Sequence, residues 1–128
     1  MSVKYSIVER PDPRDITQPR KFYPTIKRTE TVTLDSMVDT ISDYSTVNPP
    51  DVLAVLESLI RLVPKQLLQG RGVNFGSLGT FYLSASSEGS DTEEDVNESK
   101  FKKIYLRFLP SKKLKNKFRD IFFEKISG

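Results

Sequence analysis

The sequence has no cysteine and no histidine among its 128 residues. Without cysteine there is no disulfide framework and no thiolate metal site, which suits a reducing compartment. Without histidine the side chain that titrates near neutral pH is missing, and with it the commonest metal ligand. No apolar run nears the roughly 20 residues that a membrane-spanning helix needs, and no secretory leader pattern opens the chain, so a cytoplasmic protein is expected. The phosphate-cradling pattern Gly-x-x-x-x-Gly-Lys-[Ser/Thr] does not occur, and no carboxylate pair stands at a telling spacing. No catalytic residue, metal ligand or cofactor is expected, and an enzyme is set aside.

What the chain does have is charge, and the charge is segregated. The net +3 conceals a basic start, with seven bases and three acids in residues 1–29. Six acids and no base follow in 30–60, and again six acids and no base in 88–99. Residues 100–128 then carry ten bases against two acids. A basic C-terminal third fits a polyanionic partner, since neutralising phosphates releases counterions. A solvated face that merely keeps the protein in solution fits it as well.

Glycine is scarce, and four of the six glycines stand together at 70, 72, 76 and 79. A long apolar helical pattern ends just before them and a period-two pattern begins among them. Gly70 stands where a helix needs a positive-φ residue just past its end. Val73 and Phe75 start a strand, and Gly76 and Gly79 permit a tight reversal into the next, with Phe81 and Leu83 on one side and Thr80, Tyr82 and Ser84 on the other.

The remaining elements read from the N-terminus. Val3, Tyr5 and Ile7 alternate with polar residues as a first strand. Pro11, Pro13 and Pro19 then break regular structure, and Phe22, Pro24 and Ile26 make a second extended run, so residues 1–30 form an extended arm. Thr33 caps a helix whose Leu34, Met37, Val38 and Ile41 make one apolar stripe. Asn48 and Pro49 open a second helix. Its Val52, Leu53, Val55, Leu56, Leu59, Ile60, Leu62 and Val63 cover about half the circumference, which predicts burial against two things, such as its own sheet and a helix of a partner chain. Pro64 should kink that helix or restart it. Residues 84–99 read as a polar, acidic loop whose spacing does not fit a calcium loop. Lys100 to Leu109 is a strand with Ile104, Leu106 and Phe108 on one face and Lys103, Tyr105 and Arg107 on the other. Ser111 caps a short basic helix anchored by Leu114 and Phe118. Residues 121–128 close as an extended segment that pairs with the first strand.

This order of elements, with Gly-Arg-Gly-Val-Asn-Phe-Gly-Ser-Leu-Gly-Thr-Phe (70–81) and Arg-Phe-Leu-Pro-Ser-Lys-Lys-Leu-Lys (107–115), resembles the HU and integration host factor family of bacterial architectural DNA-binding proteins. The resemblance covers residues 31–120. The N-terminal extension is similar to that of HU-like variants from Bacteroidetes. The resemblance implies an α+β fold: a helical dimerisation base, an antiparallel β-sheet with an arm, and a short C-terminal helix. It implies a homodimer joined through Val52, Val55, Leu56, Leu59, Ile60 and Val63. It implies sequence-tolerant contacts to DNA phosphates from Lys100, Lys102, Lys103, Arg107, Lys112, Lys113, Lys115 and Lys117, with Arg71 a weaker candidate, and a place in the nucleoid. The family's arm tip carries a proline that wedges between base steps. The arm segment here has six acids and neither proline nor arginine, so that wedge does not carry over. A scaffolding module that keeps the fold without the DNA grip remains the alternative.

Overall fold

The computed structural model describes residues 2–126. It is a mixed α+β chain. The elements are β1 (Val3–Arg10), β2 (Lys21–Ile26), α1 (Leu34–Asp43), α2 (Pro49–Leu68), β3 (Val73–Asn74), β4 (Gly79–Ser87), β5 (Phe101–Pro110), α3 (Lys112–Asn116) and β6 (Phe123–Lys125). They divide into two compact units. One joins the N-terminal segment up to Met37 to the C-terminal segment from Phe118, and the other runs from Val38 to Lys117.

The first unit is built on a three-stranded sheet in the order β2-β1-β6. β1 and β2 are antiparallel, with Tyr5 opposite Ile26 and Ile7 opposite Pro24. β6 lies parallel to β1, with Val3 beside Phe123 and Lys4 beside Glu124. The expected pairing of the chain's two ends is thus present through residues 123–125; Met1, Ser127 and Gly128 lie outside the described residues. Alternation sorts the two faces. Tyr5 and Phe123 meet edge to face at 6.4 Å. On the opposite face Lys4 pairs with Glu124, which also accepts a 2.9 Å hydrogen bond from the Ser2 hydroxyl. The hydrogen bond from Lys4, then that from Ser2, holds the Glu124 carboxyl below its ordinary value.

In the second unit local chemistry sets the helix ends. For α1, whose first turn belongs to the other unit, Thr33 Oγ1 accepts the Ser36 N–H at 3.2 Å. Asn48 Oδ1 accepts the Asp51 N–H at 3.0 Å and caps α2, with proline at its first position. α2 closes with the Gly70 N–H on the Leu67 carbonyl and the Arg71 N–H on the Gln66 carbonyl, while Gly70 takes φ 79°. That paired closure is the Schellman arrangement, which needs a left-handed residue at the Gly70 position. The helix runs without a break through Pro64, so it does not restart there. Pro64 removes one hydrogen bond, but the Schellman closure and the buried Leu67 hold the turn that follows.

The second sheet has the order β3-β4-β5, antiparallel throughout. Phe75, Phe81 and Phe108 cluster on its apolar face, Phe75 edge to face with Phe81 at 5.7 Å and Phe81 tilted against Phe108 at 4.8 Å. β4 reaches Ser87, so Ser84–Ser87, expected in the loop, are paired strand residues. β5 supplies their backbone partners, which outweighs the low strand propensity of serine. Only residues 88–100 connect the ribbon, with single 3-10 turns at Glu93–Asp95 and Glu98–Lys100.

Among the described residues the buried hydrophobic side chains are Val38, Val52 and Leu67. The wide apolar arc of α2 is only partly covered within the chain: Val55 is 61% exposed and Ile60 58%. The same holds for the apolar face of β5, where Ile104 is 59% and Leu106 63% exposed.

Candidate nucleic-acid interface

The bases expected to contact a polyanion fall on two connected elements. Lys112, Lys113 and Lys115 lie in α3, and Lys117 caps its end. All four are exposed, whereas Leu114 is half-buried. α3 has only five residues, too few to stand alone. Ser111 fixes it. Its Oγ accepts the Leu114 N–H at 3.1 Å and donates to the Ser77 carbonyl, while its own N–H reaches the Leu78 carbonyl at 3.2 Å. The helix is thereby pinned to the turn between β3 and β4. Gly76 in that turn and Gly79 at the start of β4 have positive φ, and the Asn74 side chain accepts the Gly76 N–H at 2.9 Å.

β5 carries the other bases. Lys103, Tyr105 and Arg107 share one face, as the alternation predicts. The Arg107 guanidinium lies 4.7 Å and the Lys103 ammonium 5.5 Å from the centre of the Tyr105 ring. Arg107 Nε also donates to Ser84 Oγ at 3.2 Å. Lys102 lies at the register shift between Lys103 and Phe101, without a cross-strand partner, and pairs with Glu88 at 3.2 Å. Lys100 lies in the 3-10 turn before β5, and its carbonyl accepts the Glu88 N–H at 2.8 Å. Arg71 donates to the Gln66 side chain at 2.9 Å, so it is tied to the end of α2. Among the described residues the ion pairs are Lys4–Glu124 and Lys102–Glu88. Of the candidate bases, then, only Lys102 has a carboxylate partner. No cluster of carboxylates among the described residues could hold a metal ion.

For the expected dimer residues the structure draws a distinction. Val52 is buried inside its own chain, Leu56 and Val63 are half-buried, and Val55, Leu59 and Ile60 are exposed. Register joins residues that the sequence leaves on separate strands. Tyr82 stands directly opposite Arg107, and Ser84 opposite Tyr105. Alternation put Tyr82 and Arg107 each on a polar face, but only the pairing shows that it is one face.

A model of HU domains fused to a winged helix-turn-helix, an immunoglobulin-like domain or a glycine-rich motif matches residues 1–125. The chain belongs to this HU-HIG family. Among solved structures, the HU-HIG chain is similar to a bacterial protein from Bacteroides vulgatus ATCC 8482 whose name proposes DNA binding. The two superpose with a TM-score of 0.63 at 17% identity, over 98% of this chain and 48% of that one. At that identity the likeness shows the fold alone. The HU-HIG chain thus spans about half the length of that relative. No curated protein matches the sequence. No helix among the described residues is long and apolar enough to cross a membrane.

Proposed function

We propose that this HU-HIG chain is an architectural DNA-binding protein that acts as a homodimer in the nucleoid and grips the phosphate backbone with little regard to sequence. One observation carries the reading. Lys112, Lys113, Lys115 and Lys117 are exposed, lack carboxylate partners among the described residues, and sit on a helix pinned to the β-sheet by Ser111. A fixed array of unpaired cations suits phosphate contacts, which position a protein without reading bases. Residues 31–120 would form the DNA-binding domain, flanked by the N-terminal arm and the segment 121–128. The N-terminal extension, similar to that of HU-like variants from Bacteroidetes, motivates kinship with those proteins. The ribbon tip, residues 88–99, holds six acids and no proline, so strong bending by a proline wedge is not part of the proposal. A scaffolding role without DNA is the second reading, favoured by that acidic tip and by its Glu88, which occupies Lys102.

The test is fluorescence anisotropy of a labelled duplex at low and moderate salt. Log affinity should fall with log salt at a slope of about −0.9 per phosphate neutralised. Reversal of Lys112, Lys113 and Lys115 to Glu should weaken binding and flatten the slope. No binding at low salt by the folded protein would favour scaffolding.

A further inference from the structure

The polar face of the β4–β5 ribbon carries more than charge. Cross-strand partners lie on the same face of an antiparallel pair. Tyr82 opposite Arg107, Ser84 opposite Tyr105 and Ser86 opposite Lys103 therefore make one continuous surface. It holds two tyrosines on a diagonal and two cations. Arg107 is already oriented, stacked on Tyr105 and held through Nε by Ser84. Tyr82 is 39% exposed.

Phosphate contacts alone would not need this composition. In an intact duplex the base faces are buried in the stack, so neither the exposed ring of Tyr82 nor the Arg107 guanidinium over half-buried Tyr105 has a base face to lie against. Unpaired nucleotides present both a π-face and a phosphate. Aromatic side chains and guanidinium planes interleaved with cations are the chemistry that holds them. We propose that this face, with Tyr82, Lys103, Tyr105 and Arg107, is a stacking site for unpaired nucleotides, so that the protein engages single-stranded or locally opened DNA through the ribbon. The inference rests on the DNA-binding reading but uses a different surface from α3. The competing explanation is that the tyrosines only stabilise the cross-strand packing of the ribbon.

Two measurements test it. In the first, anisotropy compares a labelled single strand of about 15 nucleotides, near the upper site size of single-strand grooves, with a duplex of matching sequence. The double variant Tyr82→Ala/Tyr105→Ala should lose about tenfold or more in single-strand affinity while duplex affinity stays within about threefold. Tyr82→Phe/Tyr105→Phe should keep single-strand binding, because the ring and not the hydroxyl does the stacking. In the second, the unaltered protein is used. It has no tryptophan and five tyrosines, so its tyrosine emission should be quenched by the single strand and not by the duplex. That measurement stands even if the alanine variant fails to fold. Equal loss on both DNAs, unchanged single-strand affinity, or no selective quenching would overturn the stacking site. Duplex binding without single-strand binding would overturn this inference and leave the proposed function intact; failure to bind either DNA at low salt would overturn both.

Discussion

Gly79 separates two roles that glycine plays in the junction between α2 and the ribbon. At Gly76 (φ 61°) nothing would stand near an added Cβ, so only backbone conformation requires glycine. At Gly79 (φ 145°) the added Cβ would overlap the Leu109 carbonyl and the Phe108 ring. Gly72 has no positive φ and would place its Cβ 3.6 Å from its neighbours, an ordinary contact. The three alanine variants should therefore rank. Gly72→Ala should lie near neutral, because the restricted unfolded chain offsets any small loss. Gly76→Ala should cost about 1 kcal/mol, the penalty of a left-handed residue. Gly79→Ala should cost more than about 3 kcal/mol, since strain and overlap add. Urea unfolding of the three measures the order; a Gly79→Ala no worse than Gly76→Ala would mean that β4 and β5 do not approach as closely as described.

At the scale of elements, the helix ends were legible because their chemistry is local. Asn48, Pro49 and Gly70 act on backbone groups within a few residues, so the bounds of α2 follow from the sequence. The alternation in β5 was legible for the same reason, and with it the shared face of Lys103, Tyr105 and Arg107. Register was not. It depends on how residues 88–100 return the chain, and the pairing shifts between Ser86 and Ser87. Hence the strand character of Ser84–Ser87, the placing of Tyr82 beside Arg107 and the engagement of Lys102 by Glu88 all needed the structure. The Glu88–Lys102 pair is exposed on both sides, where such pairs stabilise by at most about 1 kcal/mol. Its larger effect falls on binding, because the tip presents carboxylates to an approaching polyanion. Replacing Glu93, Glu94 and Asp95 by their amides should leave stability nearly unchanged and tighten duplex binding, more at low salt than at high. Weaker binding in that variant would indicate that the tip contributes contacts of its own.

For the molecule as a whole, the decisive quantity is how little one chain buries. Val38, Val52 and Leu67 are the buried hydrophobic residues among those described. Each stabilises by about 1.5–3 kcal/mol. Surfaces that are exposed here offer further burial. The arc of α2 and the apolar face of β5 supply them, and a second chain laid against Val55, Leu59 and Ile60 would cover the former. The proposed dimer therefore predicts a melting temperature that rises with protein concentration, because association stabilises only the folded chain. Leu59→Glu/Ile60→Glu should remove self-association in sedimentation and lower the melting temperature. It should also reach beyond stability. A dimer offers two basic α3 helices to one duplex, and each phosphate lost removes about 0.9 from the salt slope. Whatever remains folded as monomer should bind DNA more weakly and with roughly half the slope. A wild-type chain that sediments as a stable monomer, or a variant whose slope is unchanged, would show that a single chain makes the whole DNA contact and that the exposed arc of α2 serves another partner.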